Sequence, residues 1–293
     1  MRDFEAEGTD AYRLCTIADG WVERFGQDVL ISFKNQAGRE QLTTEFFLWA
    51  EAMDFHTQRI FERFLPKRNE EREAPNLILG NANSSSRTIV MERGLRYEID
   101  FSGGYSVGFF IDQRENRSFV RKAGPEQVLN CFAYTCSFSV AAATAGARTV
   151  SVDLSQKSLE RGRQNFALNN LPTTGHRFIA DDVFDVLPRL ARKGEKFDLI
   201  VLDPPTFSRS HRGKAFKVQS NFESLVAEAL EVADRNASIL LSTNCATLNE
   251  RALEVMARFC LKASRRAGRF HGEPRPRDFP PASGANSVWL TLR

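Results

Sequence analysis

QVLNCFAYTCSFSVAAATAGARTVSVDLSQKSLERGRQNF (residues 127–166), FIADDVFDVL (178–187) and KFDLIVLDPPTF (196–207) decide the fold. Short apolar runs end on polar or acidic residues, and segments of helical character separate them. That is the rhythm of a parallel sheet whose strand ends face a ligand. The spacing predicts strands at 128–132, 149–152, 177–180, 197–202 and 238–242. Helices are expected from Ser137 to Gly146, from the N-cap Ser155 to Asn169, and along the Val183, Val186, Leu187, Leu190 face. Further helical faces are Phe222, Leu225, Val226, Leu230 and Leu253, Met256, Ala257, Cys260. SVWLTLR (287–293) is expected as a last, antiparallel edge strand. The predicted class is α/β, a doubly wound Rossmann-like sheet preceded by a small α+β domain.

Open α/β sheets bind ligands beyond the carboxyl ends of their strands. Asp153 ends the second strand about 20 residues after the first turn, where a carboxylate can accept both ribose hydroxyls of a nucleoside. Asp181 and Asp182 end the third strand. Asp182 is assigned to an adenine amino group and Asp181 to the helix N-cap. The first turn, NCFAYTCSFS, has no glycine. A pyrophosphate needs a glycine-rich turn and a free helix N-terminus, so a dinucleotide ranks last and a phosphate-free nucleoside first. Phe132, Tyr134, Thr135, Leu154, Asp181 and Asp203 complete the candidate cofactor contacts.

Asp203, Pro204, Pro205, Thr206 and Phe207 end the fourth strand. Two prolines stiffen the turn, which is placed to grip an acceptor base with Phe207 stacked on it. Cys245 follows the fifth strand. A capping box at Thr247 and Glu250 would put that thiol at a helix N-terminus, which favours thiolate and attack on carbon 6 of a pyrimidine. The other role open to Cys245 is that of a small buried filler. Arg209, His211, Arg212, Lys214 and Lys217 form a basic loop beside this edge, suited to a phosphate backbone. Arg265, Arg266, Arg269, Arg275 and Arg277 form a second basic group.

The chain has 293 residues, 42% hydrophobic and 26% charged, with net charge +3, ordinary for a globular protein. Five cysteines at irregular spacing and no CxxC pair argue against a disulfide framework or structural zinc, and no metal is expected. Without an apolar leader or a membrane-length run, a cytoplasmic protein is expected. Residues 1–86 read as the small α+β domain and 87–293 as the catalytic one, with GNANSSS (80–86) between. A strand pair is predicted across Gly26-Gln27 and one helix from Glu45 to Phe64. LRYEIDF (95–101) and YSVGFFID (105–112) are expected to pair across Gly103-Gly104. DQRENR (112–117) then reads as a solvated loop, or as one reaching toward the ligand.

GFFIDQRENR, VLNCFAYTCSFSVAA, VSVDLSQKSLERGRQNFALN, DDVF and FDLIVLDPPTFSRS together resemble the class I S-adenosylmethionine-dependent methyltransferases of the bacterial 23S ribosomal RNA methyltransferase I/K type. The resemblance covers about residues 88–293. ADGWVERFGQDVLISF (18–33) is similar to the module that precedes the catalytic domain in that family, while a PUA domain is not expected. The resemblance implies S-adenosylmethionine as cofactor, bound by Asp153 and Asp182, an active site lined by Asp203 to Phe207, and RNA as partner through Arg209, Arg212, Lys214 and Lys217. Cys245 resembles the cytosine-modifying branch, whereas Asp-Pro-Pro-Thr-Phe-Ser resembles the guanine-modifying one. The main reading is therefore methylation of an rRNA base, at cytosine carbon 5 or a guanine nitrogen. Alternatives are a methyltransferase for a protein or small molecule, and a non-catalytic RNA-binding scaffold with a degenerate cofactor site.

Overall fold

A computed structural model describes residues 2–67, 70–209, 215–281 and 283–293. Contacts divide the chain into two units, residues 1–111 with 276–283, and residues 112–275 with 284–293.

The first unit begins with α1 (Arg2–Ala6), β1 (Ala11–Ile17), β2 (Gly20–Phe25), β3 (Asp28–Phe33), α2 (Gln36–Ala52), β4 (Arg59–Phe64) and β5 (Asn76–Leu79). The strands form a sheet in sequence order, antiparallel except where α2 carries the chain from β3 across to a parallel β4. Gly26, at φ 67, makes the expected β2–β3 turn. Leu42 and Phe46 of α2 bury against Val22, Val29, Ile31 and Ile60. A hairpin follows, β6 (Arg87–Glu92) and β7 (Leu95–Asp100), turned at Arg93-Gly94 with both residues at positive φ.

Three expectations change here. The helix runs from Gln36, where Asn35 accepts the Gly38 N–H at 2.8 Å, and stops at Met53; residues 59–64 are a strand. Aromatic residues on both sides of Asp54–Gln58 match helical spacing by count, but the chain reverses there, with Asp54 at φ 49. LRYEIDF pairs backward with β6 rather than forward with residues 105–112. The unit boundary falls at Ile111/Asp112, later than residue 86. The hairpin belongs to the first unit, since Phe101 stacks on Phe61 at 3.9 Å and meets Phe25 edge-on.

The second unit starts with a 3-10 turn at Ile111–Gln113 and α3 (Arg114–Ala123). Then come β8 (Gln127–Cys131), α4 (Ser137–Thr144), β9 (Arg148–Asp153), α5 (Gln156–Leu168), β10 (Arg177–Ala180), α6 (Val183–Arg192) and β11 (Phe197–Leu202). A small hairpin, β12 (Phe207–Arg209) and β13 (Ala215–Lys217), leads to α7 (Val218–Val232), β14 (Ala233–Thr243), α8 (Glu250–Ala263), β15 (Gly268–His271) and β16 (Asn286–Leu292). The sheet order is β10-β9-β8-β11-β14-β16-β15. The first five strands are parallel, as the continuous apolar runs require of strands covered on both faces. Val120 of α3 and Phe138 and Ala142 of α4 pack on one face, while α6, α7 and α8 pack on the other. Order reverses between β8 and β11, which puts a crevice at their carboxyl ends. β16 is antiparallel as expected but interior; β15, unforeseen in an arginine-rich stretch, takes the edge. DQRENR is neither loop nor solvated: Gln113, Arg114, Asn116 and Arg117 are all buried where α3 begins.

In the first unit, Arg59 of β4 forks onto its register partner Asp28, at 2.8 and 2.6 Å, with both side chains buried. Removing one partner strands a buried charge. Asp28→Ala should lower unfolding free energy by about 3–5 kcal/mol in urea denaturation.

Candidate active site

The glycine-free first turn takes the backbone shape that glycines normally supply. Phe132, Tyr134 and Cys136 all sit at positive φ, at 58°, 48° and 61°. Each costs about 1–2 kcal/mol in an L-residue, so the surroundings must hold them there. They do so through hydrogen bonds. Ala133 N–H donates to the Val152 carbonyl at 2.9 Å, and Cys136 N–H to Ala133 at 2.7 Å. Tyr134 N–H donates to Asp153 Oδ2 at 2.8 Å, and the buried Asn165 amide of α5 donates to the Thr135 carbonyl at 2.9 Å. Cys136 is wholly buried, and its thiol is pushed up to about 12 by that burial. It fits because α5 carries Gly162 opposite: a Cβ there would lie 2.4 Å from the Cys136 sulfur. The missing glycine thus has a counterpart on the neighbouring helix.

Asp153 sits where expected, at the end of β9, half-buried between two turns. Oδ1 accepts the Ser155 N–H at 2.8 Å, and Oδ2 accepts that of Tyr134. Burial raises its carboxyl above the ordinary value, and the two N–H groups pull it back. Each oxygen keeps a lone pair for a ligand hydroxyl. Leu154 is half-buried beside it, and Thr135 is buried. At the end of β10 the helix cap falls one residue later than expected. Asp182 is the N-cap of α6, accepting from Phe184 N–H at 3.0 Å, and Asp181 pairs with Arg189 at 2.6 Å. An Asp at either position satisfies the spacing, so sequence alone gave no way to order them. Phe216 of the β12–β13 hairpin, absent from the predicted set, has its ring centroid 5.7 Å from Phe132 and 5.8 Å from Phe184.

At the end of β11, Pro204 is buried while Pro205, Thr206 and Phe207 are exposed; the Phe207 ring is 50% accessible. Burial pushes the Asp203 carboxyl up to about 6. The Ser242 hydroxyl lowers it, Asp112 raises it and Arg117 lowers it. Gln113 Nε2 donates to Asp203 Oδ2 at 3.3 Å and to Ser242 Oγ at 2.8 Å. Gln113 was missed as a site residue because its charged neighbourhood mimics a surface loop.

Cys245 is buried just past β14, its sulfur 3.2 Å from Thr247 Oγ1. The helix behind it starts later than the capping box implies. Asn249 is the cap, accepting Ala252 N–H at 2.9 Å, and α8 begins at Glu250. In the basic loop, Lys217 is exposed, Arg209 lies on β12, and His211, Arg212 and Lys214 lie outside the described residues. The second basic group is largely spent internally. Arg266 donates to the carbonyls of Leu230, Ala233 and Asp234, Arg275 pairs with Glu250, and Arg277 with Glu7. Among the described residues no cluster of ligating side chains could hold a metal, and no helix is long and apolar enough to cross a membrane.

A parallel sheet reversing between β8 and β11, with a carboxylate ending β9 and a rigid acidic turn ending β11, defines a doubly wound α/β enzyme with a nucleoside-type site. Residues 34–289 match the model of the S-adenosylmethionine-dependent methyltransferase family. The chain belongs to that family, and its cofactor is S-adenosylmethionine. It is 33% identical over 275 residues to ribosomal RNA large subunit methyltransferase I of Aeromonas salmonicida, covering 89% of this chain and 68% of that one. It is 43% identical over 161 residues to methyltransferase K/L of Psychrobacter, covering 53% of this chain and 20% of the other. The crystal structure of SMU.776 complexed with SAH superposes with a TM-score of 0.84 at 25% identity, covering all of this chain and 78% of that one.

The Cys136–Gly162 contact predicts a coupled pair. Gly162→Ala should cost about 1–3 kcal/mol by overpacking. Adding Cys136→Gly should return most of that loss, because it removes both the clash and the L-residue at positive φ. Thermal unfolding of the two single variants and the double variant measures the coupling.

Proposed function

We propose that this protein methylates a base of large-subunit ribosomal RNA in the cytoplasm, with Asp153 holding the nucleoside of S-adenosylmethionine and the Asp203–Phe207 turn holding the base. The observation that carries this is the pairing of a half-buried strand-end carboxylate, held by two backbone N–H groups, with a proline-stiffened acidic turn ending on an exposed aromatic ring. The names of the relatives supply the substrate class.

Phe132, Tyr134, Thr135, Leu154 and Asp182 line the cofactor side in this proposal, with Asp182 offering its second oxygen to the adenine amino group. S-Adenosylmethionine brings the electrophilic methyl group when bound. The chain's own task is to exclude water and to orient the base. Phe207 offers a stacking face, and base stacking is worth about 1–3 kcal/mol. Asp203 accepts an N–H of the base, a bond about twice as strong when the carboxylate is ionised. Arg209, Arg212, Lys214 and Lys217, which follow this turn in sequence, are the candidates for holding RNA phosphates. Cys245 is the remaining candidate. Its thiol is buried, bonded to a neutral hydroxyl, and five residues short of α8, so the dipole argument for thiolate falls away. We therefore assign the methyl acceptor as a nitrogen.

Transfer of labelled methyl groups to ribosomal RNA from a strain lacking this protein, followed by mass spectrometry of nucleosides, tests the substrate. The expected product is a base-methylated nucleoside carried on nitrogen. Cys245→Ala should keep activity within several-fold. A loss beyond 100-fold together with a 5-methylcytosine product would instead assign thiolate attack. Labelling of protein that persists after nuclease treatment would contradict an RNA substrate.

The raised Asp203 carboxyl also sets a pH dependence. A folded-state value above the unfolded one favours folding fully only below the unfolded value, and that contribution is lost as pH rises toward about 6. Activity should run the opposite way, falling below about pH 6 as the acceptor is protonated. Asp203→Asn should abolish that acidic limb in a pH–rate profile.

A further inference from the structure

Four side chains behind the acceptor turn form one hydrogen-bonded row whose direction is fixed by chemistry. Trp289 is fully buried on β16, and its Nε1–H donates to Asn116 Oδ1 at 3.0 Å. An indole nitrogen can only donate. The Asn116 oxygen must therefore face it, and its amide nitrogen must face the other way. Asn116 Nδ2 donates to Gln113 Oε1 at 2.8 Å and to Ser287 Oγ at 3.1 Å. That assigns Gln113 in turn: its oxygen is used, and its two protons go to Asp203 Oδ2 and Ser242 Oγ. Ser242, accepting from Gln113, has its single proton left for Asp203, a bond that also lowers the Asp203 carboxyl.

The sheet register explains the alignment. Ser242 is the direct cross-strand partner of Ser287, and Leu240 of Trp289. Leu202 pairs with Leu241, so Asp203 and Ser242 come level one residue later. Gln113 and Asn116, three residues apart at the start of α3, lie over these three strand ends.

Resting on the base-holding role proposed for Asp203, we propose that Gln113 is a positioning residue: Trp289, acting through Asn116, locks its amide so that both amide protons, one of them relayed by Ser242, hold Asp203 as a hydrogen-bond acceptor for the incoming base. A free amide could turn over and present its oxygen to the carboxylate, which would favour the protonated acid. The charged groups acting on Asp203 are Asp112, which opposes ionisation, and Arg117, which supports it. The row adds neutral donors to that balance. Asp112 Oδ2 is itself occupied by the Ala285 N–H at 2.9 Å.

The test is a carbon-13 NMR titration of aspartate carboxyls in the full chain, with Asp203 assigned by its absence in Asp203→Asn. Gln113→Met keeps the side-chain length and removes both donors. It should raise the Asp203 titration midpoint by about one unit, a tenfold change in proton affinity equal to about 1.4 kcal/mol. The acidic limb of kcat should shift by the same amount. Trp289→Phe, which removes only the director of the row, should shift both in the same direction. Calorimetry with S-adenosylhomocysteine should show each variant binding as wild type does, which separates positioning from misfolding. An unchanged Asp203 midpoint in folded Gln113→Met would overturn the proposal. If the midpoint moves but the kcat limb does not, the row exists and the acceptor role of Asp203 fails.

Discussion

The Asp153 carboxylate is the interaction on which the site depends. One oxygen holds Tyr134 and the other Ser155, so a single side chain ties the turn after β8 to the turn after β9. The first of those turns would not keep its shape unaided, since three L-residues in the left-handed region each oppose it. The raised carboxyl value of Asp153 reflects the burial this role imposes. In the proposed site, cofactor binding and loop geometry share one group. A ligand that donates hydroxyls to Asp153 also offsets the cost of desolvating it.

The opposite half of the site is organised from behind. Asp203 ends β11 in a turn whose prolines leave it few conformations, and the polar row from Trp289 sets what it faces. Here too a buried polar group is tolerated because its partners are complete. The two halves have a common design: a strand-end carboxylate whose hydrogen-bond partners come from an adjacent element. Arg266 shows the same economy elsewhere, spending a charge that reads as surface on the carbonyls at the end of α7.

The parallel sheet was legible because a strand covered on both faces must be apolar throughout, and its end is marked by the first polar residue. β10 and β11 fall on the expected residues, and Asp153 and Asp203 stand where the runs stop. What could not be read was burial of polar residues. Gln113, Arg114, Asn116 and Arg117 have the composition of a loop and the environment of a core; Gln113 and Asn116 are satisfied by each other and by Ser242, Ser287 and Trp289 of distant strands. The cap of α6 falls on Asp182 instead of Asp181 for a related reason: local spacing cannot say which carboxylate meets Phe184 N–H and which meets Arg189. In the first unit, a helical count carried across Asp54–Gln58 because periodicity is blind to a reversal of the chain. In sequence, the glycine-free turn points to a phosphate-free ligand. Its conformation shows that the glycine geometry is kept, with the space supplied by Gly162.

Calorimetric titration of S-adenosylhomocysteine into the wild-type chain and Asp153→Asn measures whether this carboxylate holds the nucleoside. One site is expected in the wild type. Affinity should be at least about 100-fold weaker in the variant, since hydrogen bonds to a charged acceptor are worth about 1.5–3 kcal/mol each. No heat at millimolar ligand in the wild type, or equal affinity in the variant, would contradict that role.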